Sequence, residues 1–316
     1  MRTQCGNRRG SALLTVLWLT AALSAIGLAV AANVRGETDR TSTALDDTRA
    51  YFIARGAVDR ALLHIQRGRD YYKPGNPRMD LAFPGAVATV EIIPESSKLQ
   101  LQNLRSEELL RLLAALGVPS DRAELLSAAI RDWQTPVPPG GSSPFDPFYL
   151  AQTPSFVPMR ASSFFETEEL LLVHGMTPDI YYGTSLDGSR AGLRDCVSAY
   201  SPGWALDINT ARAETMIAVG IEPADAAAIV SRRNLRPFLE PVEIEEVRRA
   251  AGPGGQRLGL GGNTMYTLRA TVRLIGADGK LSDFRRTVAA LVKRFDPDNR
   301  ARHQVGWEVV RWYDRG

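Results

Sequence analysis

Residues Ser11–Ala32 read SALLTVLWLTAALSAIGLAVAA, an uninterrupted uncharged run that follows directly on the basic leader MRTQCGNRRG, residues 1–10. About 22 apolar or small residues at a helical rise of about 1.5 Å span roughly 33 Å, enough to cross the hydrocarbon core of a bilayer. The run is therefore a membrane span or an export signal. Arg2, Arg8 and Arg9 precede it without an acid, and a mixed-sign cluster of Arg35, Glu37, Asp39, Arg40, Asp46 and Asp47 follows. The positive-inside bias then puts the leader in the cytoplasm and the bulk of the chain outside. Two export-signal readings stay open on the residues alone. Ala29-Val30-Ala31 offers a small-residue cleavage site, although the run exceeds the roughly 7–15 residues of a signal's apolar region. Arg8-Arg9 resembles a twin-Arg signal, with a short spacing to the apolar run.

The helical pattern continues past the membrane length. No proline occurs from Val34 to Gln66, and Leu45, Thr48, Phe52, Ile53, Ala57, Ala61 and Ile65 recur at helical spacing. One helix over residues 11–66 is predicted, roughly 80 Å long at that rise, lipid-like in its first half and amphipathic in its second.

Composition bounds the rest. With 316 residues, 44% of them apolar, the chain can bury one large core or two smaller ones. The formal charge of +3 is carried by the three leader arginines; without them basic and acidic residues balance at 35 each. A neutral surface gives no electrostatic case for nucleic acid. Of the two cysteines, Cys5 lies in the leader, and Cys196 reads as a small packed residue with no histidine near it in sequence.

Beyond the helix, Arg67 to Phe83 is rich in Pro, Gly and Tyr and reads as a loop, and Ala86–Ile93 alternates as a short strand. From Ser106 the period turns helical, with Leu109, Leu110, Leu112, Leu113 and Leu116 on one face and Gly117 and Pro119 ending it. Ser120 is expected to cap a second helix burying Leu125, Leu126, Ala129 and Ile130. QTPVPPGGSSPFDPF, from Gln134, reads as irregular loop, and Ser163–His174 and Pro178–Tyr182 as short helical pieces. Strands return at Tyr266–Ile275 and Phe284–Val292, joined by a turn at Asp278-Gly279, and at Val305–Trp312, where Trp307, Val309 and Arg311 oppose Val310 and Trp312. The predicted class is α+β: a long N-terminal helix on a small antiparallel sheet, with a large helical insertion.

Leu206–Ile244 resembles a helix-hairpin-helix, Asn209 or Thr210 capping the first helix and Pro223 opening the second. That unit often holds DNA phosphates on the amides of a Gly-rich turn. Here the turn is Gly220-Ile221-Glu222, whose carboxylate repels a phosphate, and Arg232 and Arg233 are the only nearby cations, so packing is favoured over DNA binding. Enzymatic signatures are missing. His64, His174 and His303 are far apart, no HExxH, CxxC, GxSxG or P-loop occurs, and GPGGQRLGLGG, Gly252–Gly262, follows a basic helix end rather than a strand. No enzyme activity is expected.

A basic leader ending in Gly10, followed by an apolar helix that runs on into an amphipathic one, resembles type IV pilins and type II secretion pseudopilins. The resemblance implies cleavage by a prepilin peptidase between Gly10 and Ser11 and methylation of Ser11. Most members carry Glu at the fifth mature position, and this chain has Thr15. A carboxylate inside a membrane span is costly and is kept for a partner, so its loss fits a subunit with no neighbour above it. An anchor with no filament role explains Thr15 equally well.

Asp132-Trp133, Phe148-Tyr149-Leu150, FETEELLLVHGMTPDIYYG (Phe165–Gly183) and INTARAETM (Ile208–Met216) resemble signatures of the minor pseudopilin K family. That resemblance implies a leader 1–10, a helix 11–66 with its span at 11–32, a pilin-like sheet begun by 67–98 and completed by 253–316, and an inserted helical domain 99–252. It implies a place at the tip of a periplasmic pseudopilus, an inner-membrane anchor, the I and J minor pseudopilins as partners, and a role in protein secretion. It also implies calcium on acids after the Asp-Trp pair. Thr135 and Val137 stand where those acids belong, leaving Asp132 and Asp146, so no metal or other cofactor is expected. The alternative is an exported or membrane-tethered helix-hairpin-helix DNA-binding protein.

Overall fold

The computed structural model describes residues 9–67, 77–160, 163–183, 190–201, 203–261, 264–276, 278–295 and 306–314. Helix α1 is continuous over Arg9–Arg67, 59 residues, or roughly 88 Å. In its first half Leu13, Leu14, Leu17, Trp18, Leu23 and Ile26 are all exposed. It is long and apolar enough to cross a membrane. Its second half lies on a five-stranded sheet, and the buried stripe is Ala50, Ala54, Ala57, Val58 and Ala61. Leu45 and Phe52, which the periodicity put on the packed side, are exposed. Small side chains let the helix backbone approach the sheet closely, so the stripe is written mainly in alanine, which also favours helix.

The sheet is an antiparallel meander of β1 (Arg78–Phe83), β2 (Ala86–Pro94), β3 (Met265–Ile275), β4 (Leu281–Phe295) and β5 (Gly306–Tyr313), in that spatial order. Its inner face alternates as expected: Ala88, Val90 and Ile92 from β2, Leu268, Ala270 and Val272 from β3, Val288, Ala290 and Val292 from β4. β1 corrects the loop reading of Arg67 to Phe83. It is a six-residue edge strand in which Met79, Leu81 and Phe83 face the core and alternate with Arg78, Asp80 and Ala82, a short signal that follows directly on a Pro-, Gly- and Tyr-rich stretch. β5 corrects a second expectation. A register shift opposite Leu291/Val292 interrupts its alternation at the exposed Val310, and Trp312 joins Trp307 and Val309 on the core side.

Asp47 and Arg49, where α1 meets the sheet, pair with Arg286 (3.5 Å) and the Pro84 carbonyl (3.2 Å) near the turn end of the strands. The remaining helices hang from the opposite ends, between Pro94 and Met265, two strand ends that are neighbours in register through Pro94 and Tyr266. This inserted unit has a core of its own. It contains α2 (Ser106–Ala115), α3 (Ser120–Trp133), α4 (Asp146–Leu150), α5 (Pro178–Tyr182), α6 (Ala213–Ala218), α7 (Pro223–Leu235) and α8 (Pro241–Ala250). Leu109, Leu112 and Leu113 of α2 and Leu126, Ala129 and Ile130 of α3 are buried together. Gly117, in the left-handed region at φ 74°, closes α2 while Val118 N–H donates to the Leu113 carbonyl at 2.9 Å.

Several local expectations change. Ser120 is the first residue of α3 rather than its cap, and Leu125 is exposed. The loop after Trp133 contains the one-turn α4. Thr167–Leu172 is a 3-10 turn inside the expected helical piece Ser163–His174. Neither Asn209 nor Thr210 caps α6, which begins later, at Ala213.

Candidate functional site

The apolar half of α1 is the first candidate surface. Gly10 and Ser11 fall on its helical backbone, while leader residues 1–8, Cys5 among them, lie outside the described residues, as does His303. Thr15 is exposed on the helix one turn beyond Ser11. Leu13 to Val30 present large apolar side chains on every side of the helix. A helix apolar all round suits lipid or the helices of other subunits, and not water.

The second candidate lies in the insert, where three of the quoted motifs converge. Trp133, at the end of α3, stacks on Phe164 with centroids 6.2 Å apart and meets Tyr149 edge-on at 5.6 Å. Its indole N–H donates to Glu169 Oε2 at 3.3 Å, while Glu169 Oε1 accepts the backbone N–H groups of Phe165 and Glu166 at 2.8 and 2.9 Å. The Tyr149 hydroxyl accepts His174 N–H at 3.3 Å, and the His174 ring lies 4.1 Å from Phe148. The Asp-Trp, Phe-Tyr-Leu and FETEELLLVHG stretches thus hold a single aromatic cluster. The fourth motif acts elsewhere. Asn209 accepts Phe238 N–H at 2.8 Å and donates to the Phe238 carbonyl at 2.9 Å, which ties the loop before α8 to the start of the hairpin.

Asp132 and Asp146, the two acids set apart by sequence, come together around Arg160. Arg160 Nε donates to Asp132 Oδ2 at 3.1 Å and its Nη2 to Asp146 Oδ1 at 2.5 Å. Ser143 serves both acids from the other side, its hydroxyl donating to Asp132 Oδ1 at 2.5 Å and its N–H to Asp146 Oδ2 at 2.7 Å. The Ser143 N–H and the Arg160 guanidinium hold the Asp146 carboxyl below the usual carboxylate range. Arg160 is only 5% exposed and adopts φ 41°, a left-handed conformation that costs a non-glycine residue about 1–2 kcal/mol. Its one sequence signal is isolation: from Gln134 to Arg160 the loop holds a single acid, Asp146, and a single base, Arg160 itself.

Two amides of the hairpin turn are already used within the hairpin itself. Gly220 and Ile221 N–H groups donate to the Ile217 and Met216 carbonyls at 3.0 and 3.2 Å. Gly254 covers the turn so closely that a Cβ there would lie 2.6 Å from the Gly220 carbonyl carbon and 2.7 Å from Ile221 N. Both nearby cations are engaged. Arg232 sits 4.2 Å over the Phe238 ring and 3.2 Å from Glu243, and Arg233 donates to the Ile208 and Ala211 carbonyls at 3.0 and 2.5 Å.

Residues that the sequence reading passed over bind the insert to the sheet. Glu95, 2% exposed, accepts from Lys98 at 3.2 Å, from Thr267 of β3 at 2.5 Å and from Ser198. Glu166 accepts from Tyr200 at 2.6 Å and from Arg311 of β5. Carboxylates in an otherwise polar stretch give no pattern that marks them as a seam. Cys196 is fully buried, and desolvation pushes its thiol up to about 12. Among the described residues no three His, Cys, Asp or Glu side chains converge to hold a metal.

Residues 90–183 match the family model described as type II secretion system (T2SS), protein K. No curated protein sequence is similar enough to count as a match. Among solved structures, the chain is similar to one from the GspK-GspI-GspJ complex of the enterotoxigenic Escherichia coli type 2 secretion system. The TM-score is 0.55 at 17% identity, with 87% of this chain and 98% of that chain covered. A likeness at that identity establishes the shared fold, and nothing in either match favours DNA binding.

Proposed function

We infer that this chain, whose residues 90–183 carry the protein K domain of type II secretion, is a minor pseudopilin of that family, and we propose that it caps the pseudopilus tip. What carries the reading is one combination: a protein K match seated mainly in a helical insert, on a sheet whose helix continues as an exposed apolar rod. The rod anchors the chain in the inner membrane with the leader cytoplasmic and the bulk periplasmic, as the arginines of the leader favour. A prepilin peptidase cuts between Gly10 and Ser11 and methylates Ser11. Assembly then exchanges lipid contacts of residues 11–32 for contacts with other pseudopilin helices. Thr15 supplies no carboxylate for a subunit above, which suits a terminal position. The insert, hung from the strand ends opposite those that meet Asp47 and Arg49, is the part of the chain we assign to blocking further addition. In the E. coli complex the K protein is crystallised with GspI and GspJ. We assign I-type and J-type minor pseudopilins as the partners of this chain also. The role is structural rather than enzymatic.

The test is intact mass and N-terminal peptide mapping after coexpression with and without a prepilin peptidase. A peptidase-dependent start at Ser11, with I-type and J-type subunits co-purifying, is the expected result. A start at Ala32 or Asn33 that ignores the peptidase overturns the pilin-type pathway.

A further inference from the structure

We propose that the Arg160 guanidinium acts as a built-in cation at the point where the family resemblance places calcium, so that the loop from Gln134 to Arg160 is fastened without a metal. The donor set carries the inference. A hard divalent cation takes about six to eight oxygens, several of them from carboxylates. Here each carboxylate oxygen of Asp132 and Asp146 already accepts a hydrogen bond, two from Arg160 and two from Ser143. Thr135, at an expected acid position, turns its hydroxyl to the Arg131 carbonyl at 2.8 Å. A cation entering between the two acids would meet a buried positive charge. The guanidinium instead reproduces what the metal would do mechanically, joining the end of α3 to the start of α4 across the loop. The left-handed backbone at Arg160 fits this role, because it belongs to the residue whose side chain reaches back to both acids.

The full chain in detergent, melted in EDTA and in millimolar calcium and subjected to limited proteolysis in each, tests it. The expected result is one melting temperature in both buffers and slow cleavage between Gln134 and Arg160 in both. Arg160→Ala should raise cleavage in that loop at least about tenfold, as a local opening made easier by the lost pair. Arg160→Lys, which keeps the charge without the fork, should fall between. Calcium that stabilises the unaltered chain or slows its cleavage overturns the proposal. So does an Arg160→Ala chain that folds with unchanged cleavage of the loop. If Arg160→Ala does not fold, the buffer comparison on the unaltered chain and the Arg160→Lys cleavage rate decide the matter.

Discussion

Replacing Glu108 should open the seam between α2 and the segment leading into β3. The carboxylate is 2% exposed and accepts from Arg257 Nη1 and Arg105 Nη2, both at 2.9 Å, and from the Arg105 backbone N–H at 3.1 Å. Arg105 is well exposed, so its side-chain bond adds under about 1 kcal/mol. The backbone bond caps α2 and contributes about 1 kcal/mol. Arg257 is the larger matter. Its side chain is 14% exposed, lies 4.9 Å over the Trp204 ring and loses the one carboxylate it pairs with among the described residues. Stranding a buried charge costs about 3–5 kcal/mol, here nearer the lower end because Arg257 Nε also donates to the Trp204 carbonyl at 2.6 Å, so with the cap Glu108→Ala should lose about 4 kcal/mol in all. Glu108→Gln, which keeps the cap and one bond, should lose about half of that. Burial pushes the Glu108 carboxyl up, but bonds to Arg105 and attraction to Arg257 outweigh it and hold the group below the usual carboxylate range. Its folded pKa is depressed, so its contribution is complete above the unfolded value of about 4.3 and fades as pH falls through the folded value. The gap between the unaltered chain and Glu108→Gln should therefore be constant at neutral pH and close in acid. Urea unfolding followed by tryptophan fluorescence measures it. A loss below about 1 kcal/mol for Glu108→Ala, or a gap that widens in acid, refutes the reasoning.

Ala57→Leu puts a branched side chain where the helix lies against the sheet and should cost about 1–3 kcal/mol, seen as earlier unfolding of the α1–sheet unit by circular dichroism. Phe164→Ala removes the ring stacked on Trp133 and should cost about 3–5 kcal/mol, with a shift in tryptophan emission that Phe52→Ala, on the exposed face of α1, does not give. Cys196 should resist alkylation at pH 8 until the insert unfolds, because the thiol is buried and its pKa is pushed up to about 12. Mass spectrometry of iodoacetamide-treated chain with and without denaturant checks this. Gly10→Val should leave the leader uncut in the coexpression assay while the folded portion melts unchanged.

The sequence made the sheet legible wherever both sides of a strand differ chemically, as in Leu268, Ala270 and Val272 against Arg269, Thr271 and Arg273. β1 alternates too, but over six residues beside a Pro- and Gly-rich stretch, and the α1 stripe was legible only in part: Ile53, Ala57, Ala61 and Ile65 lie on the core. There Leu45 and Phe52 stand out as apolar, while the contact is made mainly by alanines whose value is their smallness. A bulge changes side-chain direction without changing composition, which is why strict alternation places Trp312 on the wrong face of β5. The motifs Asp132-Trp133 and Phe148-Tyr149-Leu150 located the insert core, but their meeting with Arg160 depends on a loop path that local spacing does not encode.

The neighbouring ends of β2 and β3 carry a consequence for how the two cores depend on one another. Glu95 and Thr267 touch across the seam although 172 positions separate them. Closing a flexible loop of that length costs about 3 kcal/mol more than closing a tight turn of about four residues. A folded insert holds its own two stems together and so relieves the central strand pair of that entropy. An unfolded insert returns the burden to the sheet. The inserted unit is thus also the clasp of the sheet it hangs from, and a lesion deep in the insert should loosen strands it never touches.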